Sequence, residues 1–311
     1  MRNRTAAATI AFVGFAGTFL FNPAMAQAPA GPPVGPDLSK VEIKTTDLGN
    51  RTYMLEGQGG NVTVAVGDDG VIMVDGQFAP LHPKLKVAIT AVSPGPVRFL
   101  INTHHHGDHT GGNAPFAGDG ATVVAHVNVK ERLANGTTNG ITGAKTPPAA
   151  AGALPAETYT DARTVDVKGR TAQLRHPPKA HTDGDTYVYF ADANVLATGD
   201  TVTIGRYPNI DFLQGGTING MIAASDAYLA LSNDSTRIVP GHGPLIGKAQ
   251  LTEYRAMLAT ARDRMAALIK DGKTESDIYA SKPFADLDAK WALNEQAGRN
   301  FMRVVYASLK K

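Results

Sequence analysis

The sequence predicts an α/β fold made of two similar β-rich halves, with further helices at the C-terminal end. Three observations predict it. The apolar run Val97–Ile101 is followed at once by a polar, ligand-rich stretch, as at the C-terminal end of a buried strand in an α/β sheet. Two hairpins share one plan of strand, acidic turn and strand, closing on an Asp beside a Gly at Asp75-Gly76 and at Gly199-Asp200. Helix-spaced apolar positions then recur along 217–231 and 251–268, with a last helix expected over 294–309.

Taken in order, Arg2 and Arg4 precede an apolar, small-residue run over 6–21 and the tripeptide Ala24-Met25-Ala26. This is the pattern of a secretory signal peptide spanning 1–26 and cut near Ala26, so the mature protein is expected to be secreted or periplasmic. Residues 27–40 hold Pro29, Pro32, Pro33 and Pro36 and form an extended leader. Strands follow at 51–55 and 61–66, with Asp68-Asp69-Gly70 turning the chain into 71–74. A helix over 80–92 is stopped by Pro94-Gly95-Pro96, ahead of the strand at 97–101. A strand at 121–125 leads into a helix through Val129 and Leu133. Residues 135–156 carry no hydrophobic period and exceed an ordinary connection, which makes them either a functional or a mobile loop. Strands resume at 164–167 and 171–175, and the second hairpin runs over 186–190 and 195–198. After the helix at 217–231, Arg237-Ile238-Val239 forms a strand ended by Pro240-Gly241-His242-Gly243. Thr274 with Asp277 resembles a capping box. The organisation expected is one domain over 41–246 with a helical extension, 247–311, packed on it.

The chemistry is concentrated in Thr103-His104-His105-His106-Gly107-Asp108-His109-Thr110. His104 and His106 alternate with His105 and so point to one side of an extended backbone. Gly107 permits a sharp turn that swings Asp108 and His109 towards a second position. Four of the nine histidines crowd into this stretch, and the geometry implied is two adjacent metals.

Composition narrows the partners. The formal charge of +2 falls to neutral once Arg2 and Arg4 leave with the signal peptide. A neutral chain without a basic run offers nothing to a phosphate backbone, which argues against nucleic acid and for a small-molecule substrate. No stretch beyond the signal peptide is long and apolar enough to span a membrane. There are no cysteines, so metal ligands are imidazole and carboxylate, which suit zinc. The oligomeric state is not encoded in any feature of the sequence.

Three later residues stand where ligands are wanted: His181 before a strand, and Asp200 and His242 at strand ends. With them the chain resembles the metallo-β-lactamase superfamily, whose pattern H-x-H-x-D-H, then His, Asp and His, matches His104, His106, Asp108, His109, His181, Asp200 and His242. The resemblance covers about 41–242 and implies an αββα sandwich with metals at one rim. It implies that His104, His106 and His181 hold a first metal, that Asp108, His109 and His242 hold a second, and that Asp200 bridges them. The metals implied are two Zn²⁺, with iron or manganese compatible with the same donors. Asp75 matches a carboxylate that orients ligands; read alone it is equally a hairpin-end cap. His82, His105, His126 and His176 have no place in the pattern and are read as structural.

The resemblance further implies hydrolysis. Such a centre lowers the pKa of water to about 7 and gives hydroxide, which Asp108 orients for attack on a carbonyl. The substrate expected is a cyclic amide or ester, β-lactam- or lactone-like. The alternatives are a thioester, as in the glyoxalase-II type, and a non-hydrolytic metal protein or iron-dependent persulfide oxygenase. Arg206, Tyr207 and Asp211, with the neighbouring Phe212, are candidates either for substrate contact or for plain loop packing.

Overall fold

The computed structural model describes residues 37–310. The signal-peptide reading at 1–26 and the leader as far as residue 36 lie outside the described residues.

The first half forms a seven-stranded sheet. Its strands are β1 (Lys44–Asp47), β2 (Thr52–Glu56), β3 (Val62–Val66), β4 (Val71–Val74), β5 (Val97–Ile101) and β6 (Thr122–His126); a polar ribbon of β7 (Thr137–Thr138) and β8 (Lys145–Thr146) intervenes before β9 (Glu157–Tyr159) closes the edge. The sheet order is β1-β2-β3-β4-β5-β6-β9. It is antiparallel as far as β4 and parallel from β4 to β9. The second half is a five-stranded sheet in sequence order: β10 (Ala162–Val167), β11 (Arg170–Arg175), β12 (Tyr187–Phe190), β13 (Val195–Thr203) and β14 (Arg237–His242). Helices α1 (His82–Val92), α2 (Gly107–Thr110), α3 (Asn113–Gly118) and α4 (Val127–Asn135) belong to the first half. Helices α5 (Ile218–Leu231), α6 (Lys248–Lys270), α7 (Glu275–Ser281), α8 (Ala285–Trp291) and α9 (Glu295–Leu309) belong to the second.

Side-chain alternation along the strands separates the layers. In β4, Ile72 and Val74 join Val188, Phe190 and Val239 of the other sheet in a core between the two sheets. Val71 and Met73 face the opposite way, against Leu85 and Ile89 of α1 and Phe116 of α3. Likewise Leu196 and Ile238 leave the middle layer to pack on α5, α6 and α9. Strands covered on both faces read as continuous apolar runs, which is why β3 and β4 carry no polar-out period. The layering is helix, sheet, sheet, helix: the αββα sandwich expected. The extension beyond 247 contributes Leu251, Tyr254, Trp291 and Phe301 to the same outer core as α5.

Beyond short elements that the sequence reading did not name, among them β1, β9, α3 and α8, two stretches differ from the expectation. Residues 135–156 are not structureless: β7 and β8 pair, and Asn139 Oδ1 accepts from the Ile141 and Thr142 N–H groups to close their turn. Two-residue polar strands cannot show a period, so periodicity missed them. The second hairpin was expected to end at 198, but β13 continues to Thr203, with register shifts against β14 around Gly199. Those shifts re-aim the backbone at Asp200, as bulges beside functional sites do.

Candidate metal centre

The seven residues of the pattern converge at the strand ends where the two sheets meet. β5 delivers His104 and His106, the short α2 delivers Asp108 and His109, the turn before β12 delivers His181, β13 delivers Asp200 and β14 delivers His242. His104, His106, His181 and Asp200 form one group of potential ligand atoms, and Asp108, His109 and His242 form another. His104, His109 and His181 make the buried floor; Asp108, His106 and His242 are more exposed and form the mouth.

Asp200 stands between the groups. Its Oδ1 lies 3.2 Å from His109 Nε2 and 3.4 Å from His242 Nε2, while Oδ2 lies 3.8 Å from His181 Nε2 and 4.0 Å from His104 Nε2. One carboxylate therefore presents an oxygen to each group. Close backbone approach makes this possible. A Cβ on Gly241 would overlap Asp200 Oδ1, and one on Gly60 would overlap the His109 ring.

Hydrogen bonds behind the rings fix which nitrogen faces inward. The Thr103 hydroxyl donates to Asp75 Oδ2 at 2.7 Å, so its contact with His104 Nδ1 at 3.0 Å is one that the imidazole donates. That leaves the lone pair on His104 Nε2, a buried atom with no hydrogen-bond partner. His181 Nδ1 donates to the Asn209 carbonyl at 2.8 Å, again freeing Nε2. His106 is turned the other way: Nε2 faces Asp211 Oδ2 at 3.1 Å, and Nδ1 points towards His181 Nε2 at 3.1 Å. His109 Nδ1 lies 2.8 Å from Asp75 Oδ2. Convergent imidazole lone pairs, an unpartnered buried nitrogen and a central carboxylate suit a divalent cation with N and O preference, so the donor set fits zinc.

The two groups differ electrostatically. Burial, with the neighbouring His109 and His181, pushes His104 well below the usual imidazole range, and burial takes His181 down to about 4. At His109 burial opposes the charge, but Asp200, Asp75 and Asp108 outweigh it and raise the ring well above its ordinary value. His242 is likewise raised to about 9, the carboxylates of Asp200 and Asp108 overcoming burial. Asp108 falls to about 2 despite its own burial, through His109 and His242. The Asp108 group demands positive charge, and His104 and His181 offer neutral donors.

Asp75, expected from the sequence as an orienting carboxylate, is joined by positioning residues that the linear pattern did not show. Asp75 takes the left-handed backbone conformation, φ 63°, and its Oδ1 accepts from Thr103 N–H at 2.8 Å. Asp185 accepts the His181 and Thr182 N–H groups, at 2.6 and 2.9 Å, and pins the turn that carries His181. Asn61 Nδ2 donates to the Pro240 and Gly243 carbonyls at 2.9 Å each, holding the turn around His242. The Gly57-Gln58-Gly59-Gly60-Asn61 run was the available signal, since glycines mark close backbone approach.

The substrate-contact candidates divide. Tyr207 turns away from the centre: its ring stacks on Phe301 at 4.0 Å, and its hydroxyl donates to Asp288 at 2.9 Å. Its N–H is held by the Trp291 carbonyl at 2.7 Å, which anchors it in the helical layer. Asp211 is buried behind His106 and accepts Gln214 N–H, so it orients a candidate ligand and is not displayed to a substrate. Arg206 lines a groove that Tyr207 and Asn209 also line. Of the other histidines, His82 pairs with Asp119 at 2.8 Å and His126 stacks on His176. His105 is buried, its Nε2 3.8 Å from Asp211 Oδ2.

Residues 55–242 match the profile of the Metallo-beta-lactamase superfamily. The chain is 33% identical over 187 residues to the 2,4-dinitroanisole O-demethylase subunit alpha of Nocardioides sp. (strain JS1661), covering 58% of this chain and 52% of that protein. It is 28% identical over 177 residues to a hydroxyacylglutathione hydrolase of Polaromonas sp. (strain JS666), covering 57% of this chain and 60% of that protein. The chain thus spans less than two thirds of the length of these relatives. Among solved structures, a metallo-beta-lactamase from Pontibacter korlensis superposes with a TM-score of 0.58 at 17% identity, over 70% of this chain and 99% of that one, a likeness of fold.

Proposed function

Because the chain belongs to the metallo-β-lactamase superfamily, with its hydrolase-type function, we propose that it is an exported two-zinc hydrolase that opens a cyclic amide or ester, β-lactam- or lactone-like. The observation that carries this is the Asp200 carboxylate, with one oxygen towards each histidine group. His104, His106 and His181 would hold one zinc, Asp108, His109 and His242 the other, and Asp200 both. When bound, such a pair supplies a Lewis acid and acidifies water to a pKa of about 7.

The chain's own residues do the rest. Asp108, ionised at neutral pH and the most exposed of the seven, accepts a hydrogen bond from the attacking water and aims it. Asp75, Asp211, Thr103 and the Asn209 carbonyl hold four imidazoles in fixed orientation, so little reorganisation is needed when the substrate arrives. Export is supported by Arg2, Arg4, the apolar run and Ala24-Met25-Ala26.

A second reading is favoured by the relatives named hydroxyacylglutathione hydrolase: hydrolysis of a thioester. A panel of a chromogenic cephalosporin, an aliphatic lactone and an S-acyl thioester, given to the zinc-loaded protein, separates the two. Turnover of the lactam or lactone with a kcat/KM above that of the thioester is expected. Thioester turnover alone would replace the first reading by the second, and no turnover of any would refute both.

A further inference from the structure

A groove of about 260 Å³ opens beside the candidate metal centre. Its walls come from three separate elements: the turn after β7 with Ile141, the segment after β13 with Arg206, Tyr207 and Asn209, and the last part of the helical extension, with Leu293 just before α9 and Phe301 and Val304 in it. Two features point to a ligand. Leu293 is 65% exposed at this groove, a large apolar side chain without cover. Arg206, half-exposed, makes no ion pair among the described residues and stands beside the apolar wall of the groove. The groove lies one residue from the centre, because Asn209 lines it and its carbonyl accepts from His181 Nδ1.

We propose that this groove binds an acyl chain or a single ring bearing a carboxylate, with the carboxylate on Arg206 and the apolar part against Leu293, Phe301, Val304 and Ile141. The planar guanidinium fork matches a carboxylate in two parallel hydrogen bonds. The volume lies below the roughly 300 Å³ at which sites for whole drug-sized ligands begin, so the groove takes one portion of a molecule. The turn that forms one wall is anchored by Arg303 Nη1, which donates to the Ile141 carbonyl at 3.2 Å, and by Gln214 Nε2, which reaches Thr138 O at 3.4 Å. A preformed wall of this kind reduces the ordering cost of binding. That the bound molecule is the substrate rests on the hydrolase reading; that the groove binds an apolar carboxylate does not.

The test is calorimetric titration of the zinc-loaded protein with octanoate and with octanol, the latter as the uncharged chain. The wild type should bind octanoate, and Arg206→Gln should weaken it about tenfold while leaving octanol unchanged. Leu293→Ser should weaken both ligands severalfold. Equal octanoate affinity in the wild type and Arg206→Gln would overturn the proposal, since the carboxylate would then be held at the metals or elsewhere. So would no octanoate binding at all. Binding with this pattern in a protein that hydrolyses none of the panel would sink the hydrolase reading and leave the groove standing.

Discussion

Asp75 Oδ2 lies 2.8 Å from His109 Nδ1, and the same oxygen accepts the Thr103 hydroxyl at 2.7 Å. One buried carboxylate at the end of β4 thereby fixes a ring from the Asp108 group directly and one from the His104 group through Thr103. Asp75→Asn is expected to weaken metal retention 10–100-fold, the usual cost of losing an orienting partner. The loss should fall first on the position served by His109. Metal analysis after dialysis against a weak chelator checks this, with one zinc kept where the wild type keeps two. A variant that retains both would remove Asp75 from the account.

Metal uptake at pH 7 should proceed in two steps that differ in proton release. Without metal, His242 titrates at about 9 and His109 is raised above its ordinary value, so both carry a proton that a cation must displace. Affinity at that position should therefore rise as pH rises above 7 and both protons are lost. His104 and His181 are held below their ordinary values and are already neutral, so these two rings should release almost none. Calorimetry in buffers of different ionisation enthalpy measures the protons. Equal release in both steps would contradict the electrostatic division.

Gly60→Ala tests the close approach at His109. The added methyl would overlap the imidazole, and overpacking of this kind costs about 1–3 kcal/mol. The melting temperature should fall and one zinc should be lost, whereas Gly118→Ala, where a Cβ meets nothing, should change neither.

Tyr207 and Asp211 should part company under mutation. Tyr207→Phe keeps the stack on Phe301 and deletes the bond to Asp288, so it should cost about 1 kcal/mol of stability with KM unchanged. Asp211→Asn should lower zinc affinity and kcat by freeing His106. A rise in KM alone for Asp211→Asn would restore it as a substrate contact.

Much of this centre was legible because its ligands mark themselves. His104, His106, Asp108 and His109 fall in one short stretch, and Asp200 and His242 each neighbour a glycine at a strand end. The plan of two similar α/β halves was legible because two hairpins repeat one pattern, and the family resemblance carried by the ligand pattern implied the sandwich. What stayed hidden depended on long-range approach. Nothing local to Asp211 shows that its carboxylate will lie behind His106, and nothing local to Asn209 shows that its carbonyl will hold His181. Tyr207 could not be decided between substrate contact and loop packing for the same reason: its partners Phe301 and Asp288 belong to helices that carry no catalytic pattern. The ribbon at 137–146 was missed because each strand is two residues long.

The central claim is that Asp200 joins two metals. Diffraction from crystals of the zinc-loaded protein, recorded on both sides of the zinc absorption edge, addresses it without recourse to any substrate. The expected result is two anomalous peaks of similar height, one facing Asp200 Oδ2 among His104, His106 and His181, the other facing Oδ1 among Asp108, His109 and His242. A single peak at full zinc loading, or two peaks with Asp200 bound to only one of them, would contradict it.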